Sequence, residues 1–187
     1  MVTSAYRASF FDSASGAAAV ASARAGNVIG GGDWAADRLV PDAMRAFSRG
    51  KPLEIRNPKA IRPWQHVLEP LSGYLLLAER LFSEGARWAG GWNFGPVDED
   101  PRSAEFVVER LTRRRGDGAR WVTPGRDHPH EAGLLKLDCT KARNELGWSP
   151  KWRLEQALDA VVAWNRAHLR DLDMQSFSVR QIEDYTN

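Results

Sequence analysis

The stretch RAGNVIGGGDW, Arg24 to Trp34, carries a small apolar segment straight into three consecutive glycines, and the reading of those glycines decides the fold. A dinucleotide-binding turn spaces its glycines so that the chain turns tightly, approaches a pyrophosphate and opens a helix packed closely on its strand. Gly26, Gly30, Gly31 and Gly32 satisfy neither Gly-x-Gly-x-x-Gly nor a phosphate loop ending in Gly-Lys-Ser/Thr, and no other glycines in the chain do so. Spacing alone makes the triplet a turn after a strand.

Upstream, Met1 to Phe11 has the character of a helix end. A polar Ser/Gly turn follows at Asp12 to Gly16, then a small apolar segment to Ile29 that suits a buried strand. Downstream, a short helix follows Pro41 and stops at Gly50, leading into the strand-like PLEI of residues 52–55. Val67, Leu71, Tyr74, Leu75, Ala78, Leu81 and Phe82 recur at helical spacing and predict one buried face. WNF at 92–94 and RWVTP at 120–124 read as strands. Ser103 caps a helix carrying Phe106, Val107 and Leu111, and Asp138 caps a brief one ended by Gly147. Leu154 to about Leu169 reads as the final, amphipathic helix, and the alternation as a whole is mixed α/β with no internal repeat.

Composition sets limits on function. The 187 residues are 43% hydrophobic with eight tryptophans, enough for one core or for a domain with an accessory lobe. A net charge of +2 is too small to mark a nucleic-acid or membrane surface, so any anion site is local. The lone Cys139 excludes an internal disulfide and fits a reducing compartment. The run YLLLA, residues 74–78, is far short of the ~18 apolar residues of a membrane span, so a cytoplasmic location is expected.

RAGNVIGGGDWAADRLVPD, GKPLEIRNPKAIRPWQHVLEPLSGYLLLAERL, GWNFGP and PGRDHPHEAGLLKLDCTKARNELGWSPKW together resemble the C-terminal half of CDP-glucose 4,6-dehydratases, within the extended short-chain dehydrogenase/reductases. The resemblance covers nearly the whole chain. It implies the last strands of a Rossmann-type doubly wound sheet plus a smaller α/β substrate lobe, with residues 1–34 a remnant of the NAD-binding domain and 35–187 mainly the CDP-sugar-binding lobe, some of whose segments return to the Rossmann sheet. It also implies a Tyr-x-x-x-Lys pair, which is absent: four residues after Tyr6 stands Phe10, four after Tyr74 stands Ala78, and Tyr185 has two residues behind it. The expectation is a truncated protein, or a frame assigned a late start, that is inactive alone, has no catalytic residue of its own and does not retain the NAD of the intact enzyme. Its surface would self-associate or dimerise where the Rossmann half packs.

The resemblance also assigns site residues. Asn27 would lie between nicotinamide and substrate phosphate, although an Asn tolerated in a tight loop is the competing reading. Gly30 to Gly32 would let backbone approach the ligand. Arg62 would hold the pyrophosphate of CDP or CDP-glucose through its guanidinium fork, against the alternative of a surface arginine packed on Trp64. Arg38 and Arg126 are further phosphate candidates, each weighed against a solvated loop charge. Arg56 and Asn57 would meet the cytosine edge, although RNP is equally a strand-end turn. His130 and Glu131, in DHPHE, would be substrate-side groups; with His128 they suggest a metal cluster, but a proline interrupts them and no fourth ligand is near, so no metal is expected. Trp34 and Trp64 are the tryptophans expected near ligand. Arg24 reads as a structural ion-pair partner and Arg113 to Arg115 as a solvated helix end. A stand-alone CDP-sugar binding module and a decayed fragment remain as alternatives to a dehydratase half.

Overall fold

The computed structural model describes residues 2–11, 18–124 and 133–187. In chain order these form α1 (Val2–Phe10), β1 (Ala21–Ala25), β2 (Asn27–Ile29), α2 (Leu39–Ser48), β3 (Leu53–Glu54), β4 (Ile61–Arg62) and β5 (Trp64–His66). There follow α3 (Leu68–Glu84), a single 3₁₀ turn (Gly85–Trp88), β6 (Gly90–Phe94), β7 (Arg102–Ser103), α4 (Ala104–Arg115), β8 (Trp121–Val122), α5 (Thr140–Asn144), α6 (Leu154–Leu169) and α7 (Met174–Thr186). Strands β1 and β6, β2 and β5, and β3 and β8 pair in parallel, and β4 pairs antiparallel with β7. The fold is α/β, with parallel pairs joined through helices.

The apolar segment before the glycines is two strands rather than one. At Gly26 the chain leaves β6 and takes β5 as its neighbour, and a Cβ there would stand 2.5 Å from the carbonyl oxygen of Pro63. The Asn27 N–H then donates to that same carbonyl at 2.9 Å. Nor is β1 buried: Ala23 and Arg24 are exposed. Arg24 Nε donates to Asn93 Oδ1 at 2.8 Å, so the described partner of that arginine is an amide and not the expected carboxylate.

The glycine triplet has a use that the sequence did not reveal. A Cβ at Gly31 would lie 2.1 Å from Cγ of Trp164, and one at Gly30 would lie 2.8 Å from Val67 Cγ1. Backbone approaches closely here, as expected, but what it approaches is the indole of α6. Gly32 (φ +73°) completes the turn in the left-handed region.

Two clusters of buried side chains form the interior. One joins α2, α4 and α6 through residues such as Phe47, Val107, Leu111, Leu158 and Val162. The other joins α3, β6 and α5 through Leu77, Trp92, Phe94, Leu146 and Trp148. Ser103 caps α4 as expected, accepting the Phe106 N–H at 3.1 Å. Helix α6 occupies the predicted range but is not the last: Asp173 accepts the N–H groups of Gln175 and Ser176 and starts α7. That helix is tethered by a buried carboxyl. Glu69, with no exposed surface, accepts the Lys151 N–H at 3.0 Å, the Trp152 N–H at 2.7 Å and the Tyr185 hydroxyl at 2.8 Å.

Two further expectations change. In α3 the packed side is Glu69, Pro70, Gly73 and Leu77, because Gly73 lets the helix settle onto Phe94, whose ring would be 2.2 Å from a Cβ at that position. Leu71, Leu75 and Phe82, expected to be buried, form an exposed apolar stripe, with Phe82 96% exposed. In the arginine run only Arg113 is exposed. Arg114 donates from Nε to Asp159 and from Nη2 to Glu155, both at 2.6 Å, and so ties α4 to α6.

Because the indole fills the space over Gly31, Gly31→Ala is expected to destabilise the protein by about 2 kcal/mol, within the overpacking range. Urea unfolding checks this, and the loss should be less than additive with Trp164→Ala, which vacates the contact.

Candidate functional site

A cleft of about 660 Å³ opens between β2, the loop leading into α2, the turn after β3, and the strands β4 and β5. It collects Asn27, Arg38, Arg56, Asn57 and Arg62, which come from four separate elements and loops. The break at Gly26 turns β2 to place Asn27 on one wall. Opposite it, β3 alternates, with Leu53 and Ile55 buried in the core and Glu54 exposed, so that its following turn presents Arg56 and Asn57. That turn closes with the Ala60 N–H donating to the Asn57 carbonyl at 3.1 Å.

Arg62 is 9% exposed, so its guanidinium belongs to the wall and not to the outer surface. Its Nη1 donates to the Ile61 carbonyl at 2.9 Å, which limits its swing. Trp64, 6% exposed, also lines the cleft, and its indole N–H donates to the Arg102 carbonyl at 2.9 Å, fixing β5 to β7. The first turn of α2 adds the positive end of a helix dipole, with no side chain capping it.

The cleft is mixed in charge. Asp33, Asp37, Asp42 and Glu54 stand among the three arginines. Asp42 is bonded to Arg45 outside the cleft, and Asp33 Oδ1 accepts the Ala35 N–H at 3.0 Å. Asp37 reaches Arg56 Nη2 at 3.0 Å. This last residue escaped notice in the sequence, where nothing in WAADR marks one aspartate; its left-handed backbone, φ +60°, is visible only in three dimensions.

Other candidates fall elsewhere. Arg126, His130 and Glu131 lie outside the described residues, as does His128. Trp34 is not in the cleft wall: its ring lies 6.2 Å from that of Trp164 and 5.1 Å from that of His168, on the far side of the glycine turn. Among the described residues no group of three His, Cys, Asp or Glu could hold a metal ion, and no helix is long and apolar enough to cross a membrane. Cys139 is buried, and burial pushes its thiol above the ordinary range, away from the thiolate that nucleophilic chemistry needs.

No family model matches the chain. Over 99% of its length it is 53% identical to the CDP-glucose 4,6-dehydratase of Salmonella typhimurium, of which the match covers 52%. It is 27% identical, over 69% of its length, to the dTDP-glucose 4,6-dehydratase of Haemophilus influenzae, covering 40% of that protein. The chain thus spans about half the length, or less, of these curated relatives. Among solved structures, the UDP-glucuronic acid 4-epimerase of Bacillus cereus, in complex with UDP-glucuronic acid and NAD, matches with a TM-score of 0.71 at 19% identity, over 87% of this chain and 48% of that one. The dTDP-glucose 4,6-dehydratase of Bacillus anthracis, in complex with NAD, matches with a TM-score of 0.58 at 22% identity, over 77% of this chain and 43% of that one. These likenesses show the same Rossmann-type α/β fold.

Strand β5 is buried along its length and carries His66 beneath the cleft wall, 5.0 Å from the ring of Trp152. Burial lowers His66 from its ordinary value of 6.5 to about 4, so the folded protein holds it neutral. A depressed folded value means that stability present above pH 6.5 is lost as pH falls toward about 4. A His66→Gln variant should lack this acid-side loss, which integrates to as much as ~3 kcal/mol. Urea midpoints of the two proteins across that window supply the comparison; parallel curves would contradict it.

Proposed function

We propose that this chain, a relative of CDP-glucose 4,6-dehydratase along nearly all of its length, is the substrate-binding portion of such an enzyme. In that reading it holds CDP-glucose by the nucleotide while the hexose becomes the 4-keto-6-deoxy sugar with loss of water. The observation that carries the proposal is the single cleft that gathers Asn27, Arg38, Arg56, Asn57 and Arg62. Its size suits a nucleotide, since ligand clefts typically run from about 300 to 1,000 Å³.

Each residue has a chemistry that fits a part of the ligand. The Arg62 fork matches two oxygens of a diphosphate, and its near-complete burial strengthens charge-assisted hydrogen bonds. Arg38 and the first turn of α2 add positive potential beside it. Arg56 and Asn57 stand where a pyrimidine edge would be read: cytosine offers acceptors at N3 and O2 and a donor at its amine, and the Asn57 amide both donates and accepts. Asn27, at the head of β2, is proposed to meet the junction of diphosphate and hexose. Arg126, His130 and Glu131 are proposed as further substrate-side groups. Binding energy from the nucleotide would then fix the hexose for reaction without any of these side chains touching the breaking bonds.

NAD is the cofactor named with both solved structures described above. The glycine triplet does not fit its pyrophosphate, because the space over Gly31 is filled by Trp164. We therefore assign this chain binding and orientation of the sugar nucleotide and no step at the cofactor. With no Tyr-x-x-x-Lys pair in its sequence, the purified chain supplied with CDP-glucose and NAD is expected to give no 4-keto product in an absorbance assay. Turnover would overturn that division of labour.

Titration calorimetry tests the site itself. CDP is expected to bind more tightly than UDP, and Arg62→Ala to weaken CDP by about 2 kcal/mol, in the range for hydrogen bonds to charged groups. Arg113→Ala, at the exposed end of α4, should leave binding unchanged. Equal losses from both variants would point to a diffuse basic field in place of a built site.

A further inference from the structure

An exposed pair of opposite charges stands in the wall of the cleft. Asp37 comes from the loop ahead of α2 and Arg56 from the turn after β3, and carboxylate and guanidinium meet at 3.0 Å. Both residues line the cleft. Their side chains are 63% exposed for Arg56 and 80% for Asp37, so the pair stands in water at the rim, where such bonds contribute little and exchange readily. Asp37 is nevertheless held in the left-handed backbone region at φ +60°, a conformation uncommon outside glycine and asparagine-like residues. An acid in a cleft built for an anionic ligand opposes that ligand unless it does something else. Here it holds one of the arginines.

We propose that Asp37 is a stand-in acceptor: it holds the Arg56 guanidinium and yields it to acceptor atoms of the pyrimidine base when a nucleotide enters. The inference rests on the nucleotide-binding reading of the cleft and adds a residue to it, one that sets affinity without touching the ligand. The contact to Asp37 draws the Arg56 guanidinium toward the loop ahead of α2. On binding, the guanidinium exchanges a solvated carboxylate for a base edge inside the cleft. Asp37 is then left in water at little cost, because its side chain is already mostly exposed.

The test is a double-mutant cycle on CDP binding by titration calorimetry at low ionic strength. Asp37→Asn keeps a residue that tolerates the left-handed backbone while removing the charge, and it is expected to tighten CDP binding about two- to fivefold, the range of an exposed ion pair. In an Arg56→Ala background the same substitution should give no such gain. A gain that persists there would make Asp37 a through-space charge acting on the diphosphate, and would overturn the proposal. So would unchanged or weaker binding by Asp37→Asn alone, the latter marking Asp37 as a direct ligand of the nucleotide. If the wild-type chain binds no CDP, the nucleotide reading itself fails and this inference with it. Far-ultraviolet circular dichroism and melting points of all four proteins exclude misfolding as the cause of any difference.

Discussion

The indole of Trp164 lies against the bare backbone of Gly31, at a distance that no side chain at that position would permit, and this contact joins α6 to the end of β2. The arrangement of the cleft follows from it. Strand β2 must end where α6 receives it, the chain must turn through Gly32, and the loop that follows is delivered to the start of α2. Asn27 at one end of β2 and Arg38 at the start of α2 then face the same space. The glycine triplet serves the scaffold, and Asn27 and Arg38 lie on either side of it in the chain.

Much of this was legible in the sequence where a local rule decided the matter. Ser103 placed the start of α4 because a hydroxyl ahead of a helical run has one obvious partner, and the amphipathic pattern from Leu154 to about Leu169 marked α6. PLEI, WNF and RWVTP all yielded strands, although short ones. The α/β class also followed from the alternation of elements.

What failed had non-local causes. The apolar positions of α3 run around much of the helix, and periodicity cannot tell which side is chosen; the closeness allowed by Gly73 against Phe94 made the choice. The role of Arg114 depended on Asp159 and Glu155 being carried to it on another helix, 45 and 41 residues away. Helix α7 buries only Tyr185 and is held by polar contacts, from the Tyr185 hydroxyl to Glu69, from Gln181 to the Ala160 carbonyl and from the Trp164 indole to Ser178, a signal that apolar patterning does not carry. For the cleft, the resemblance nominated arginines and amides that the fold does gather, whereas Asp37 became visible only through its backbone angle and its reach to Arg56.

The tether between Glu69 and Tyr185 spans 116 residues of chain, and this separation has a consequence for the order of events in the cell. At elongation rates of about 5–20 residues per second, the Tyr185 codon is reached on the order of ten seconds after that of Glu69. Until Lys151 and Trp152 are made, 82 and 83 residues after Glu69, the carboxyl has none of its three donors, and the Tyr185 hydroxyl comes last. It must therefore remain hydrated, and α3 cannot settle with its first turn fully buried. The nascent chain thus carries a built-in delay: the two buried clusters can begin to form on the ribosome, but they are locked together only near the close of synthesis of this segment.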